Sequence, residues 1–162
     1  MVDNPCQAKF TGEKAECAFT CQAMEQGLVV SKPYGDSAPY DFIVDCGPYQ
    51  GKRPRLLRVQ VRCAASICRG WYTIRAGTGG RCDPLTSLHA DFLVAFIPPH
   101  HAWYVIPISA LTGVRRAIAF RPHVPTRSRW ERYRGAWHLL GGRSPRRRFN
   151  RRDRRARRDL NL

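Results

Sequence analysis

Acidic residues and lysine are scarce in this chain, although its overall charge is high. The 162 residues contain 12 Asp and Glu against 28 Lys and Arg, and lysine occurs only at positions 9, 14, 32 and 52. The formal net charge of +16 therefore comes mainly from arginine. A chain so poor in negative charge is suited to anionic partners, with nucleic acid first, an anionic membrane surface second and an acidic protein third.

Long apolar runs are also absent. No stretch approaches the roughly 18 consecutive apolar residues that a membrane-spanning helix needs. The opening residues, Met1 to Pro5, are polar rather than of the signal-peptide type. We therefore expect a cytoplasmic protein without membrane association, in which cysteine thiols stay reduced.

Cysteine pairs of the Cys-x-x-Cys type do not occur among the seven cysteines. Cys17 and Cys21 lie four positions apart on a predicted helix, and Cys63 and Cys68 lie five apart. This spacing scatters the thiols over different elements, which disfavours a structural zinc site. We expect free thiols that behave as small hydrophobic side chains.

The basic charge divides evenly between a body and a tail. Residues 143–162 hold 10 of the 28 basic residues and 2 of the 12 acidic ones, so this segment carries +8 and the rest of the chain also carries +8. We predict one domain over residues 1–142 and an Arg-rich tail over 143–162 that is disordered when free. The tail is either a phosphate clamp or a solvated terminus, and the body is basic without it.

The hydrophobic pattern predicts a helix, a series of strands and a closing helix. The first helix is predicted from Thr11, as its cap, to Gln26, with Gly27 as its end. A helical turn is predicted at 109–113, and a basic irregular segment runs from 115 to 129. A helix at 129–140 carries aromatic residues at a spacing typical of a buried face. The predicted strands span 28–31, 40–44, 55–63, 71–75, 91–97 and 103–108. This order of elements predicts an α+β fold with a mixed central β-sheet flanked by helices.

One stretch, from Tyr40 to Arg62, combines polar side chains with two of the predicted strands. Asp41 opens the first of these strands, and Gln60 and Arg62 alternate with apolar residues on the second. Side chains on a strand alternate between its two faces, so Gln60 and Arg62 share one face. If the Gly/Pro-rich turn between the strands makes a hairpin, Asp41 meets this polar pair on one side.

Such an arrangement can hold a divalent cation beside a phosphate. Phosphodiester hydrolysis requires carboxylates that place Mg²⁺, which activates water, and a cation or donor near the scissile phosphate. Asp41 is the expected central ligand, and Gln60 offers a neutral amide oxygen. Arg62 can bind phosphate with two donors. Glu16 completes the metal shell if the first helix packs against the sheet.

Each of these residues also has an ordinary structural interpretation. Asp41 could be a solvated residue at a strand end, Gln60 an exposed strand residue and Glu16 a charge that complements the helix dipole. Asp36 is favoured as a turn former and Asp91 as a strand-start residue. The ordered combination is therefore more informative than any single member.

The order of the motifs resembles the PD-(D/E)XK endonuclease superfamily. The resemblance covers roughly residues 9–110, with a further match at the predicted closing helix. It is greatest for the branch associated with group I introns, which resembles archaeal Holliday-junction resolvases in fold. The segments that carry it are Gly12 to Glu16, Pro33 to Val44, Val59 to Arg62, Asp91 to Phe96, Tyr104 to Ile108 and Arg132 to Leu140.

This resemblance assigns a role to each candidate residue. Glu16 matches the helical acidic residue and Asp41 the metal-binding Asp. Gln60 falls on the acidic position, which this branch commonly fills with Gln, and Arg62 falls on the lysine position. The resemblance implies a restriction-endonuclease-like core with Mg²⁺ or Mn²⁺ held by Glu16, Asp41 and Gln60. It also implies cleavage of duplex DNA, in this branch for intron homing, by a homo-oligomer that is a dimer or a tetramer.

Arg62 departs from the family pattern. Lysine can lose its proton when it is desolvated, whereas arginine stays charged. If the family lysine acts as a base, Arg62 cannot replace it; if the lysine stabilises charge and orients water, Arg62 can. The alternatives to an active endonuclease are a catalytically impaired DNA-binding protein on the same fold and a basic RNA-binding protein.

Overall fold

The computed structural model describes residues 5–35, 37–47, 55–78, 83–114, 116–124 and 128–142. One long helix, α1, spans Pro5–Glu25. Short 3₁₀ helices lie at Pro98–His100, Ile108–Leu111, Glu131–Tyr133 and Trp137–Leu140. In chain order the strands are β1 (Val29–Ser31), β2 (Phe42–Asp45), β3 (Leu56–Cys63), β4 (Ile67–Cys68), β5 (Trp71–Arg75), β6 (Gly77–Thr78), β7 (Asp83–Pro84), β8 (Phe92–Ile97), β9 (Ala102–Pro107) and β10 (Ala117–Phe120).

A five-stranded sheet in the order β1-β2-β3-β8-β9 forms the centre of the protein. β3 and β8 run parallel, and the other neighbouring pairs are antiparallel. All six residues of β8 are buried because both faces of the sheet are covered at this strand. The predicted α+β fold with a mixed central sheet is confirmed.

One face of the central sheet packs against α1. Ala15, Phe19 and Ala23 repeat every four positions along the helix and are buried in one hydrophobic core with β2 and β3. The ring centroid of Phe19 lies 4.9 Å from that of Phe42 and 6.0 Å from that of Trp137. Truncation of such a buried aromatic side chain to Ala costs about 3–5 kcal/mol.

The opposite face is covered by a second, three-stranded sheet in the order β10-β5-β4. Tyr72 and Ile74 of β5 and Phe120 of β10 lie in a second hydrophobic core with β8 and β9. The prediction of an irregular segment at 115–129 is wrong for β10. This four-residue strand contains two alanines, which have little strand preference, and its order comes from pairing with β5.

α1 begins at Pro5, six residues before the predicted start. Proline is favourable in the first turn of a helix. Thr11 lies inside the helix, where its hydroxyl donates to the Gln7 carbonyl at 2.8 Å, so it is not the cap. Gly27, at a φ of 78°, lies just beyond the helix end, as predicted.

Two short 3₁₀ helices replace the helix predicted at 129–140. Arg134 forms an isolated bridge with Tyr104, and the Gly135 N–H donates to the Trp103 carbonyl at 2.8 Å. Gly135 has a φ of 59°, which is incompatible with a continuous helix. The aromatic spacing nevertheless predicted burial correctly, for Trp130 and Trp137.

Several predictions concern residues beyond the described ranges. Most of the predicted turn between β2 and β3, at 46–54, lies outside them, and so do Asp36 and the tail at 143–162. Within the described ranges, no helix combines the length and apolarity that crossing a bilayer requires.

Candidate active site

Asp41 lies at the point where β2 and β3 separate. The pairing of these strands ends with Phe42 opposite Val59, so residues 60–63 of β3 extend beyond β2. The Asp41 N–H still donates to the Val59 carbonyl at 2.9 Å. The Val61 N–H, two residues further on, donates to Oδ2 of Asp41 at 2.7 Å. A side-chain oxygen thus replaces a backbone acceptor and fixes the carboxylate at the edge of the sheet.

Gln60 holds the same carboxylate. Its Nε2 donates to Oδ2 of Asp41 at 2.6 Å, and the residue is only 7% exposed. The interpretation of Gln60 as an exposed strand residue is therefore wrong. One N–H of Nε2 is used on Asp41, and the amide oxygen is the only atom of this side chain that can act as a ligand for a metal.

Gln60 and Arg62 lie on the face of β3 that is turned away from α1. The parallel register places them beside Leu93 and Ala95 of β8, which belong to the second core. Val61, between them, belongs to the core beneath α1. Because β2 does not extend beside residues 60–63 of β3, the sheet has an open edge there, and side chains from both of its faces can line one cavity.

α1 brings Glu16 to that cavity. Its neighbour Ala15 is buried against the sheet, and Glu16 itself is half-buried. The cavity measures about 240 Å³ and is lined by residues from the middle of α1, by Asp41 and by the free edge of β3. All four residues selected from the sequence line it: Glu16, Asp41, Gln60 and Arg62. The role predicted for Glu16 requires that the first helix packs against the sheet, and α1 does pack there.

Burial raises the pKa of the Asp41 carboxyl above its ordinary value. The hydrogen bond from Val61 opposes this rise, the nearby Glu16 carboxylate adds to it, and the charges of Arg62 and Lys32 oppose it. The two carboxylates therefore repel each other across the cavity. A divalent cation between them would relieve this repulsion.

Lys32 has no role in the sequence-based prediction, yet it contacts the site. It follows β1 directly, and its Nζ lies 2.6 Å from Oε2 of Glu16. The Lys32 side chain is 61% exposed and that of Glu16 23% exposed. Sixteen positions separate the two residues, and no local pattern links them. The contact arises because α1 and β1 pack side by side.

The donors of the cavity fit a hard divalent cation. Glu16 and Asp41 supply carboxylate oxygens, and Oδ1 of Asp41 accepts no hydrogen bond from the described residues. Mg²⁺ and Mn²⁺ prefer oxygen ligands, and Mg²⁺ often binds through one or two carboxylates while keeping several waters. Across the described ranges no group of three or more His, Cys, Asp or Glu could hold a metal.

Cysteine contributes free thiols in the described part of the chain, at Cys17, Cys21, Cys46, Cys63 and Cys68. Cys63 also lines the cavity, and burial raises the pKa of its thiol. The neutral thiol is therefore favoured there.

Asp91 stabilises the start of β8 and does not line the cavity. Its carboxylate accepts the Arg58 backbone N–H at 2.8 Å and the Arg58 guanidinium at 3.1 and 3.3 Å. Partial burial alone would raise the pKa of Asp91, but the bonds and charge of Arg58 hold it below its ordinary value. This pair ties β3 to β8.

A family model described as PD-(D/E)XK endonuclease matches residues 6–140. The chain belongs to this family. The solved structure of a bacterial homing endonuclease, I-Ssp6803I, matches with a TM-score of 0.65 and 28% identity, over 82% of this chain and 90% of that chain. No curated protein sequence matches the chain significantly.

Membership of the PD-(D/E)XK endonuclease family supports a nuclease function, and the likeness to a homing endonuclease agrees with it. The matched range contains α1 from its second residue onward, the central sheet and the second sheet. All four cavity residues therefore lie within it.

Proposed function

We propose that this protein is a metal-dependent endodeoxyribonuclease that hydrolyses phosphodiester bonds in duplex DNA. The single observation that carries the proposal is the convergence of Glu16, Asp41, Gln60 and Arg62 on one cavity at the free edge of β3. Two carboxylates, one amide and one guanidinium are the groups that a metal-assisted attack on a phosphate requires. The likeness to a homing endonuclease makes intron homing the proposed context.

Each side chain has a separate task in this proposal. Glu16 and Asp41 hold Mg²⁺ or Mn²⁺, which activates water and neutralises developing charge when it is bound. Gln60 orients the Asp41 carboxylate through its N–H and offers its oxygen to the metal. Arg62 binds the phosphate and stabilises charge without accepting a proton, because arginine does not act as a base.

The proposed assembly is a homo-oligomer, either a dimer or a tetramer, because cutting both strands of a duplex requires two active sites. The proposed location is the cytoplasm. The net charge of +16 favours a polyanionic substrate and implies steep salt dependence of binding.

Supercoiled plasmid nicking tests the proposal. Wild type should nick with Mg²⁺ or Mn²⁺ and not with EDTA, and Glu16→Gln should abolish nicking. Glu13→Gln is the matched control, because Glu13 is an exposed acidic residue on the same helix that does not line the cavity. Nicking by Glu16→Gln at the wild-type rate would contradict the assignment.

A second candidate is a DNA-binding protein with impaired catalysis. Two observations favour it: arginine occupies the lysine position of the motif, and Lys32 occupies one oxygen of Glu16. This candidate predicts tight, salt-dependent DNA binding without nicking at any divalent metal concentration. Preferential binding of RNA over duplex DNA would contradict both candidates.

A further inference from the structure

The second sheet carries arginine and no acidic residue. Residues 64–78 and 116–124, which contain its three strands, include four arginines but neither Asp nor Glu. In the described part of the chain none of these four forms an ion pair with a carboxylate, whereas Arg58 and Arg134 do. The four are Arg69, Arg75, Arg116 and Arg121. Their charge is available to a partner.

Strand alternation gives this sheet a distinct outer face. The buried residues of β5 and β10 point toward the central sheet, so Thr73 and Arg75 of β5 and Ala117 and Ala119 of β10 point outward. The register places Arg75 opposite Ala117 and Thr73 opposite Ala119. Small side chains in the middle of the face permit close approach, and Arg75 can reach an anion at its side.

Arg121 extends the basic character to the other end of the face. Its guanidinium carbon lies 4.8 Å from the ring centroid of Trp71, a cation–π contact that limits the orientations of the side chain. Its Nε is buried without a hydrogen-bond partner in the described residues, and the guanidinium has four further N–H donors on its terminal nitrogens. A planar guanidinium held in this way is suited to phosphate.

The second sheet begins close to the candidate active site. Residues 64–66 connect Cys63, which lines the cavity, to β4. Four Cα–Cα steps span at most about 14 Å, so the second sheet begins within that distance of the cavity. Gln60 and Arg62 also lie on the face of the central sheet that the second sheet covers. Duplex DNA carries one charge per ~1.7 Å of its axis, so a duplex in the cavity places several phosphates within this reach.

We propose that the outer face of the β10-β5-β4 sheet binds the sugar-phosphate backbone of duplex DNA beside the scissile position. The inference rests on the proposed function and adds the surface by which the substrate is held. Charge complementarity selects a polyanion, and duplex DNA is the polyanion on which the cavity is proposed to act. β-Sheets are an established means of holding DNA.

The salt dependence of binding tests this surface. The full-length protein and its variants are titrated with a fluorescent duplex of random sequence, in EDTA, between about 50 and 200 mM salt. Arg75→Ala combined with Arg121→Ala should weaken binding and lower the slope of log K against log salt by about two, since each lost phosphate contact removes about 0.9. Arg75 is exposed, but Arg121→Ala also removes the cation–π contact with Trp71, so binding is measured below the thermal midpoint of every variant.

Two matched variants complete the experiment. Arg75→Lys with Arg121→Lys keeps the charge and should keep the slope. Arg55→Ala with Arg132→Ala removes the same charge from exposed positions outside the second sheet and should also leave the slope unchanged. Equal slopes for wild type and the Arg75/Arg121 alanine variant would overturn the proposal, as would an equal loss in the Arg55/Arg132 variant.

The outcomes separate this inference from the proposed function. If wild type nicks plasmid but the Arg75/Arg121 alanine variant keeps the wild-type slope, the surface is wrong and the nuclease proposal stands. If the slope depends on Arg75 and Arg121 but no metal supports nicking, the surface stands and the catalytic proposal fails. If duplex RNA displaces the labelled DNA at a lower concentration than unlabelled duplex DNA does, DNA is overturned as the occupant.

Discussion

The carboxylate of Asp41 accepts the backbone N–H of Val61 at 2.7 Å, in the place where a longer β2 would present a carbonyl. Asp41 therefore has a structural duty in addition to its proposed role at the metal. Its charge and its hydrogen bond can be separated by substitution, because Asn keeps an acceptor oxygen and Ala does not.

We predict that Asp41→Asn abolishes nicking without lowering the thermal midpoint. The folded-state pKa of Asp41 lies above its unfolded value, so ionisation of this group destabilises the fold at neutral pH, and loss of the charge is neutral or stabilising. Asp41→Ala should instead cost about 1–3 kcal/mol, because the buried Val61 N–H loses its acceptor. Thermal unfolding of both variants checks this, and equal destabilisation by Asn and Ala would contradict it.

The raised pKa of Asp41 also predicts proton-linked metal binding. A metal ligand must be deprotonated, so the apparent affinity for Mn²⁺ should fall as pH decreases through the raised folded pKa, and that fall should begin above the value of about 3.9 for free Asp. Calorimetry in two buffers of different ionisation enthalpy measures the proton release. If Asp41→Asn releases as many protons on metal binding as wild type does, another group titrates.

Arg62→Ala should lower the nicking rate by about 10²–10³-fold, the usual loss when one donor to developing charge is removed. Arg62→Lys should restore most of the rate. It should also introduce a dependence on pH, because a desolvated lysine can lose its proton and arginine cannot. Single-turnover rates between neutral and alkaline pH decide this. A rate for Arg62→Ala equal to that of wild type would remove Arg62 from the mechanism.

Gly12 lies within α1 and lines the cavity, and a Cβ added there meets no atom within 4 Å. Gly12→Ala should therefore raise the free energy of unfolding by about 0.5–1 kcal/mol, the helix preference of Ala over Gly. Urea denaturation measures the change. A decrease would mean that α1 is more tightly packed at this position than its geometry indicates.

Asp91→Asn should destabilise the fold by about 1–3 kcal/mol, because it removes charge-assisted bonds to Arg58. The pKa of Asp91 is lowered in the fold, so its stabilisation is present above the unfolded value of about 3.9 and is lost as pH falls through the folded pKa. Chemical denaturation across acid pH should show this loss in wild type and not in Asp91→Asn. Nicking per folded molecule should be unchanged, because Asp91 lies outside the cavity.

The sequence predicted the strands of the central sheet best. β8 is a continuous apolar segment and β3 is an alternating one, so each can be recognised from its own residues. Burial of both faces of the sheet at β8 accounts for its continuous apolar pattern. The closing segment shows the limit of this approach. Its aromatic spacing was helical, but pairing of Arg134 with Tyr104 supplied hydrogen bonds that a helix could not. The helix preference of a short segment contributes little free energy when contacts with other elements favour a different backbone conformation.

The identity of the candidate site was determined by the sequence, because Asp41, Gln60 and Arg62 occur at positions that strand geometry brings near one another. Its form was decided by the tertiary structure. β2 begins only at Phe42, so Asp41 lies at an edge instead of on a face of the sheet. α1 brings Glu16 to the cavity, and Lys32 contacts Glu16 from the position after β1, where the sequence carries no functional signal. Contacts between residues far apart in the sequence depend on how whole elements pack, and a local pattern of residues does not contain that information.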